Sequence, residues 1–112
     1  MSLYMSTFDY TPEVWADLVA NPENRTEALN RIFDDAGCKL MGLWYAFGAS
    51  DGFALIEAPD NVTSAGIAIA INASGAFRRF ETTVLMTQDD LLRALDKARD
   101  VAYVAPGAAV NA

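Results

Sequence analysis

The sequence predicts one α+β domain of order β-α-β-β-α-β-α, and three observations lead there. Four stretches alternate side chains at the two-residue period of strands. Between and after them lie segments with apolar residues at helical spacing, opened by cap residues, two of them closed by a glycine. A glycine-flanked turn, Gly48-Ala49-Ser50-Asp51-Gly52, joins the second strand directly to the third and makes them antiparallel neighbours.

Residues 3–10 alternate large and small side chains and are rich in aromatics, as a half-buried strand requires. Thr11 then offers an N-cap and Pro12 the first helical position, where a missing N–H costs nothing. Asn21-Pro22-Glu23 repeats the cap-then-proline signal, so the first crossover reads as two helical segments. In the second, Ala28, Leu29, Ile32, Phe33 and Ala36 share one face and Gly37 provides the stop. Residues 38–47 form the second strand. Gly42 within it marks a bulge or a close backbone approach, and a bulge would swap the faces beyond it.

The third strand, residues 53–58, puts Phe53, Leu55 and Glu57 on one side and Ala54, Ile56 and Ala58 on the other. Asp60 or Asn61 caps the next helix, in which Val62, Ala65, Ile69 and Asn72 follow one line; Gly66, Ala68 and Ala70 keep it slim, and Gly75 ends it. In the fourth strand, residues 77–86, Phe80, Thr82, Val84 and Met86 alternate with Arg79, Glu81, Thr83 and Leu85. Thr87-Gln88-Asp89-Asp90 is a capping-box variant that opens a last amphipathic helix through Leu91, Leu92, Leu95, Ala98 and Val101. The expected domain is residues 1–102. Residues 103–112 are expected to form a flexible tail, loose or draped over a neighbouring subunit.

This is the order of a ferredoxin-like plait, with an antiparallel four-stranded sheet and an added C-terminal helix. Two crossover helices cover one sheet face and leave the other bare. Apolar residues make up 53% of the 112, more than so small a monomer hides. A homodimer or higher homo-oligomer that pairs the bare faces, in the manner of a dimeric α+β barrel, resolves the excess.

The formal charge is −7, and no basic cluster exceeds Arg78-Arg79. That argues against nucleic acid and anionic membranes as partners. Histidine is absent, which removes Ser-His-Asp and Cys-His catalysis and most zinc and haem ligation. No metal and no cofactor is expected. The single cysteine, Cys38, forms no intramolecular disulfide, and its setting predicts an inert thiol. The first residues, MSLYMSTFDY, lack the basic and apolar regions of a signal peptide, so a cytoplasmic location is the expectation.

At the central hairpin the sequence resembles the GYD-domain family. That family's pattern of glycine, one residue, tyrosine and aspartate, an apolar strand, glutamate, a small residue, proline and aspartate stands here as Gly48-Ala49-Ser50-Asp51, Gly52-Phe53-Ala54-Leu55-Ile56 and Glu57-Ala58-Pro59-Asp60. The likeness extends through Tyr4, Tyr10-Thr11-Pro12, Pro22, Arg25, Gly37 and Glu81-Thr82, over about residues 2–100. Ser50 stands where the eponymous tyrosine is expected. The resemblance implies a small protein similar in fold to the dimeric α+β-barrel proteins and without an assigned activity. The wider superfamily includes cofactor-free monooxygenases, haem enzymes, isomerases and ligand-sensing modules, and fold does not choose among them.

Two acids within the apolar hairpin, Asp51 and Glu57, require an explanation. Asp51 is expected to cap N–H groups of its turn, or else to stand as a site carboxylate at a barrel mouth. Glu57 is expected to pair with Arg79 on the bare face, or else to act as a general base. Tyr4, Trp44, Tyr45, Phe53 and Arg79 are the candidate ligand-binding residues, although aromatics at strand spacing are more often core or interface. The leading expectation is an oligomeric module that binds a small apolar or aromatic molecule between sheet and helices. The competing ones are a cofactor-free monooxygenase or isomerase using Asp51 or Glu57 as base, and a purely structural assembly module.

Overall fold

The computed structural model describes residues 1–108. The last four residues of the expected tail, 109–112, lie outside the described residues. The elements run β1 (Ser2–Tyr10), α1 (Pro12–Ala20), α2 (Arg25–Asp35), β2 (Lys39–Tyr45), β3 (Gly52–Ala58), α3 (Asn61–Ala73), β4 (Phe77–Leu85) and α4 (Gln88–Arg99). The four strands form one antiparallel sheet in the order β2-β3-β1-β4, the ferredoxin-like plait that the element order implies.

Helix starts follow local chemistry. Thr11 accepts the amide of Val14, Asp60 accepts that of Thr63, and Thr87 and Asp90 close a reciprocal capping box. One expected boundary is corrected. Asn21 closes α1 rather than opening α2, and Asn24 is the cap that accepts the Thr26 amide. Pro22 therefore sits in the link between the helices. Gly37 and Gly75 adopt positive φ of 76° and 75° just past α2 and α3, as left-handed stops should.

The bulge in β2 lies at Met41, because the pairing passes from Leu40↔Ile56 to Gly42↔Leu55. It swaps the faces beyond it, so Leu40, Leu43 and Tyr45 share the helix side while Lys39, Gly42 and Trp44 look the other way. Gly42 is also a close approach. The Trp44 indole lies across it, leaving no room for a Cβ. A second bulge, at Arg78, lets Tyr10 pair with Phe77.

The buried core lies on the helix side and is small: Tyr4, Phe33, Cys38, Ala54, Ile56 and Ala58, with Leu29, Leu40, Leu43 and Ile67 packed against it. Helix α2 rests on β2, α3 on β3 and β4, and α1 on the end of β1. In α3 the line of Val62 and Ile69 faces solvent, and Gly66, Ile67, Ala70 and Ile71 turn inward instead. A helix this uniformly apolar carries no polar stripe to mark its inner face.

Candidate functional site

Two neighbouring regions hold the chemistry, one tied by polar bonds and one open. The first is the end of the sheet where β1 meets the β2–β3 turn. Asp9 is buried there, with Arg79 directly opposite it on β4. Arg79 donates through Nε to Asp9 Oδ2 at 2.9 Å and through Nη2 to Ser50 Oγ at 2.7 Å, and its Nη1 lies 3.0 Å from Glu81 Oε2. Asp9 Oδ1 accepts the Asp51 amide at 2.9 Å. The Arg79 hydrogen bond, outweighing the opposing effect of desolvation, holds the Asp9 carboxyl below its ordinary range, and the Asp51 amide and the Arg78 charge add to it. Arg79 is correspondingly held more firmly protonated.

Asp51 does not cap its own turn. Its Oδ2 accepts the Tyr10 amide at 3.0 Å and the Trp15 indole N–H at 3.1 Å, so it pins the turn to β1 and to α1. The expected Glu57–Arg79 pair does not form either. Glu57 sits at the other end of the open face, opposite Leu3 and Lys39, while Arg79 is opposite Asp9. Nothing in the spacing singles out Asp9, since an acid in a half-buried strand reads as an outward position. The available signal was its alternation with Met5 and Thr7, which puts it on the face that carries Arg79.

The second region is a cleft of about 1070 Å³ on the helix side of the sheet. Its walls are α2, through Leu29, Ile32 and Phe33, and α3, through Gly66, Ile67, Ala70 and Ile71. Val14 and Leu18 of α1 close one end, and Tyr10 and Phe77 stand at the sheet end. It exists because α2 and α3 each pack on the sheet and leave space between them. A Cβ at Gly66 would meet nothing, so that residue opens directly onto the space. The polar groups at the cleft are few, chiefly Asp17, Asn21, Glu23 and Arg25. Arg25 pairs with Glu23 at 3.3 Å, an exposed pair of little energetic weight.

An aromatic cluster links the two regions. Phe8, Tyr10, Trp15, Tyr45, Phe77 and Phe80 make edge and stacked contacts with ring centroids 5.0–6.5 Å apart. The hydroxyls of Tyr10 and Tyr45 share a 3.1 Å hydrogen bond. Desolvation first, and that bond second, push the Tyr45 phenol well above its usual range, so it is a neutral hydrogen-bonding group and no base.

The candidate residues are thus dispersed. Trp44 and Phe53 face each other across the open side of the sheet. Tyr4 is in the core, its hydroxyl donating to Asn61 Oδ1 at 2.7 Å. Tyr45 alone adjoins the cleft, through Tyr10. Asp51 and Arg79 are brought together by Asp9, and Glu57 joins neither. The cleft walls had a sequence signal, the apolar face of α2 and the small residues of α3, but it reads equally as helix-to-sheet packing. Burial raises the Cys38 thiol, with the Asp60 charge adding to it, in keeping with an inert side chain.

Among the described residues no helix is long and apolar enough to cross a membrane, and no group of three or more acidic, cysteine or histidine side chains is placed to hold a metal ion. No curated protein matches the chain. The model of the GYD domain matches residues 4–95, from the core tyrosine of β1 to the third leucine of α4, and the chain therefore belongs to the GYD domain family.

Proposed function

We propose that the protein is a binding module for a small apolar or aromatic molecule, held between the sheet and helices α2 and α3 of a cytoplasmic homo-oligomer. The observation that carries this reading is the cleft itself. Its volume of about 1070 Å³ lies just above the usual range for small-molecule sites, and its walls are mostly aliphatic, with Phe33 in the α2 wall and aromatic rings at one end. The open sheet face supports the oligomer, because Leu3, Met5, Phe53, Leu55 and Leu85 share it and the helices that pack on the sheet lie on its other side. Nothing favours the monooxygenase or isomerase reading equally: Asp51 and Glu57 lie outside the cleft, and Asp51 is engaged by two N–H donors.

Backbone amide shifts during titration with indole, a small aromatic probe, test this reading. Shifts centred on Leu29, Gly66, Ile67 and Ala70 are expected. Shifts confined to Trp44, Phe53 and Leu55, or none at millimolar probe, would overturn it.

A further inference from the structure

We infer that α4 is an exchanged arm, docking on the body of a second copy of this chain through Leu91, Leu92, Leu95 and Ala98. Its sequence builds a sound helix, with a capping box, acids in the first turn and Lys97 and Arg99 in the last. Yet among the described residues it has no substantial packing with another element, and every one of its residues but Asp90 is exposed. Leu92 and Leu95 are 52% and 54% exposed, and beyond the helix Val101 and Tyr103 are more exposed still. An isolated helix shorter than about 12–15 residues is marginal in water, so this 12-residue one needs an external surface.

The dimensions of the whole chain show how much surface the arm, the open sheet face and the cleft together leave uncovered. The radius of gyration is 18.9 Å, against about 13 Å for a compact chain of this length. The accessible area is 7898 Å², against about 6,000 Å² for a compact monomer of 12.1 kDa. The difference, about 1,900 Å², is more than twice the roughly 800 Å² that one partner contributes to a standard interface. An excess of that size fits an obligate pairing.

The chain's own cleft is not the dock. Strand β4 is the sheet edge and α3 packs on it. Only Met86 and Thr87 join Leu85 to Gln88, a reach of about 11 Å. A helix is about 10 Å across, so to rise over α3 and also cross its width the link would have to span about 20 Å, beyond its reach. It leaves instead from the strand that carries Leu85 of the open face, so two copies paired through those faces each present an arm to the other. The inference rests on the oligomer proposed above, and the two can fail separately.

The test labels the arm. A nitroxide at Lys97→Cys, on the side of α4 away from the leucines and in a Cys38→Ala background, is carried by unlabelled copies refolded together with ¹⁵N copies of native sequence. Broadening of body amides in the ¹⁵N copies is expected, as is its loss when the spin-labelled chain also carries Leu92→Asp and Leu95→Asp, with the rest of the spectrum still that of a folded protein. Sharp body amides in the ¹⁵N copies of a dimer by light scattering, with broadening seen only when the nitroxide is placed on a ¹⁵N chain diluted into unlabelled native copies, would overturn the exchanged arm and leave the sheet pairing standing. A monomer at micromolar concentration would overturn both.

Discussion

The tied end of the sheet and the open cleft share Tyr10, yet they are built in opposite ways. On the tied side the nearby charges have partners: Asp9 holds Arg79 and the Asp51 amide, Asp51 holds Tyr10 and Trp15, and Ser50 and Glu81 take the other two nitrogens of Arg79. On the open side two helices stand on the sheet with a largely apolar space between them. Acids inside a small α+β domain are conspicuous in sequence, but here they fix strand register and turn position. The capacity to bind comes from what α2 and α3 leave unfilled. If that contrast holds, substitutions on the tied side should act on stability and those on the open side on binding.

The largest effect is expected at Asp9. Asp9→Asn removes the charge that Arg79 faces within the sheet, and should lower Tm by more than any other single carboxylate-to-amide change in the chain. It should also alter the acid limb of stability. A carboxyl whose folded pKa lies below its unfolded value of about 3.9 stabilises fully above that pH, and the contribution is lost as the pH falls through the lower folded value. Urea melts from pH 7 to pH 2 should show a weaker decline below about pH 4 in Asp9→Asn than in the native chain.

Gly52→Ala comes next. Its Cβ would overlap the Phe8 ring, which is itself buried among aromatics, and a forced shift of that kind costs about 2 kcal/mol. Chemical denaturation would measure it. Trp15→Phe keeps the ring contacts with Tyr10 but withdraws the indole N–H from Asp51; a loss of about 1 kcal/mol is expected. The smallest effect has the opposite sign. Gly66→Ala, in a helix and with free space at its Cβ, should stabilise by about 0.5–1 kcal/mol. A destabilisation there would mean that the cleft closes in solution.

The fold was legible because its signals are local. Thr11, Asp60 and Thr87 cap where their side chains permit, Gly37 and Gly75 stop helices where positive φ is needed, and two-residue alternation assigns the faces of β1, β3 and β4. The bulge at Met41 was legible for the same reason, because the adjacent Gly42 reads as a bulge or a close backbone approach. What escaped was non-local. The Asp9–Arg79 pair depends on the β1–β4 register, which runs unbroken from Leu3↔Leu85 to Asp9↔Arg79. The roles of Glu57 and Asp51 depend on which end of the sheet each reaches. Least visible was the cleft, because the apolar faces of α2 and α3 predict packing against something and do not specify that the two helices stand apart. The Tyr10–Asn21–Pro22 region shows the same limit. Asn21 has the chemistry of a cap at either end of a helix, and only the chain path makes it the end of α1.

The central claim is that the space beside Gly66 is the binding site. The most direct test compares the indole dissociation constant of Gly66→Phe with that of the native chain. A phenylalanine there projects into the cleft without meeting another atom at its Cβ, so the fold and Tm should persist while affinity falls tenfold or more. Unchanged affinity in a folded Gly66→Phe protein would contradict the account.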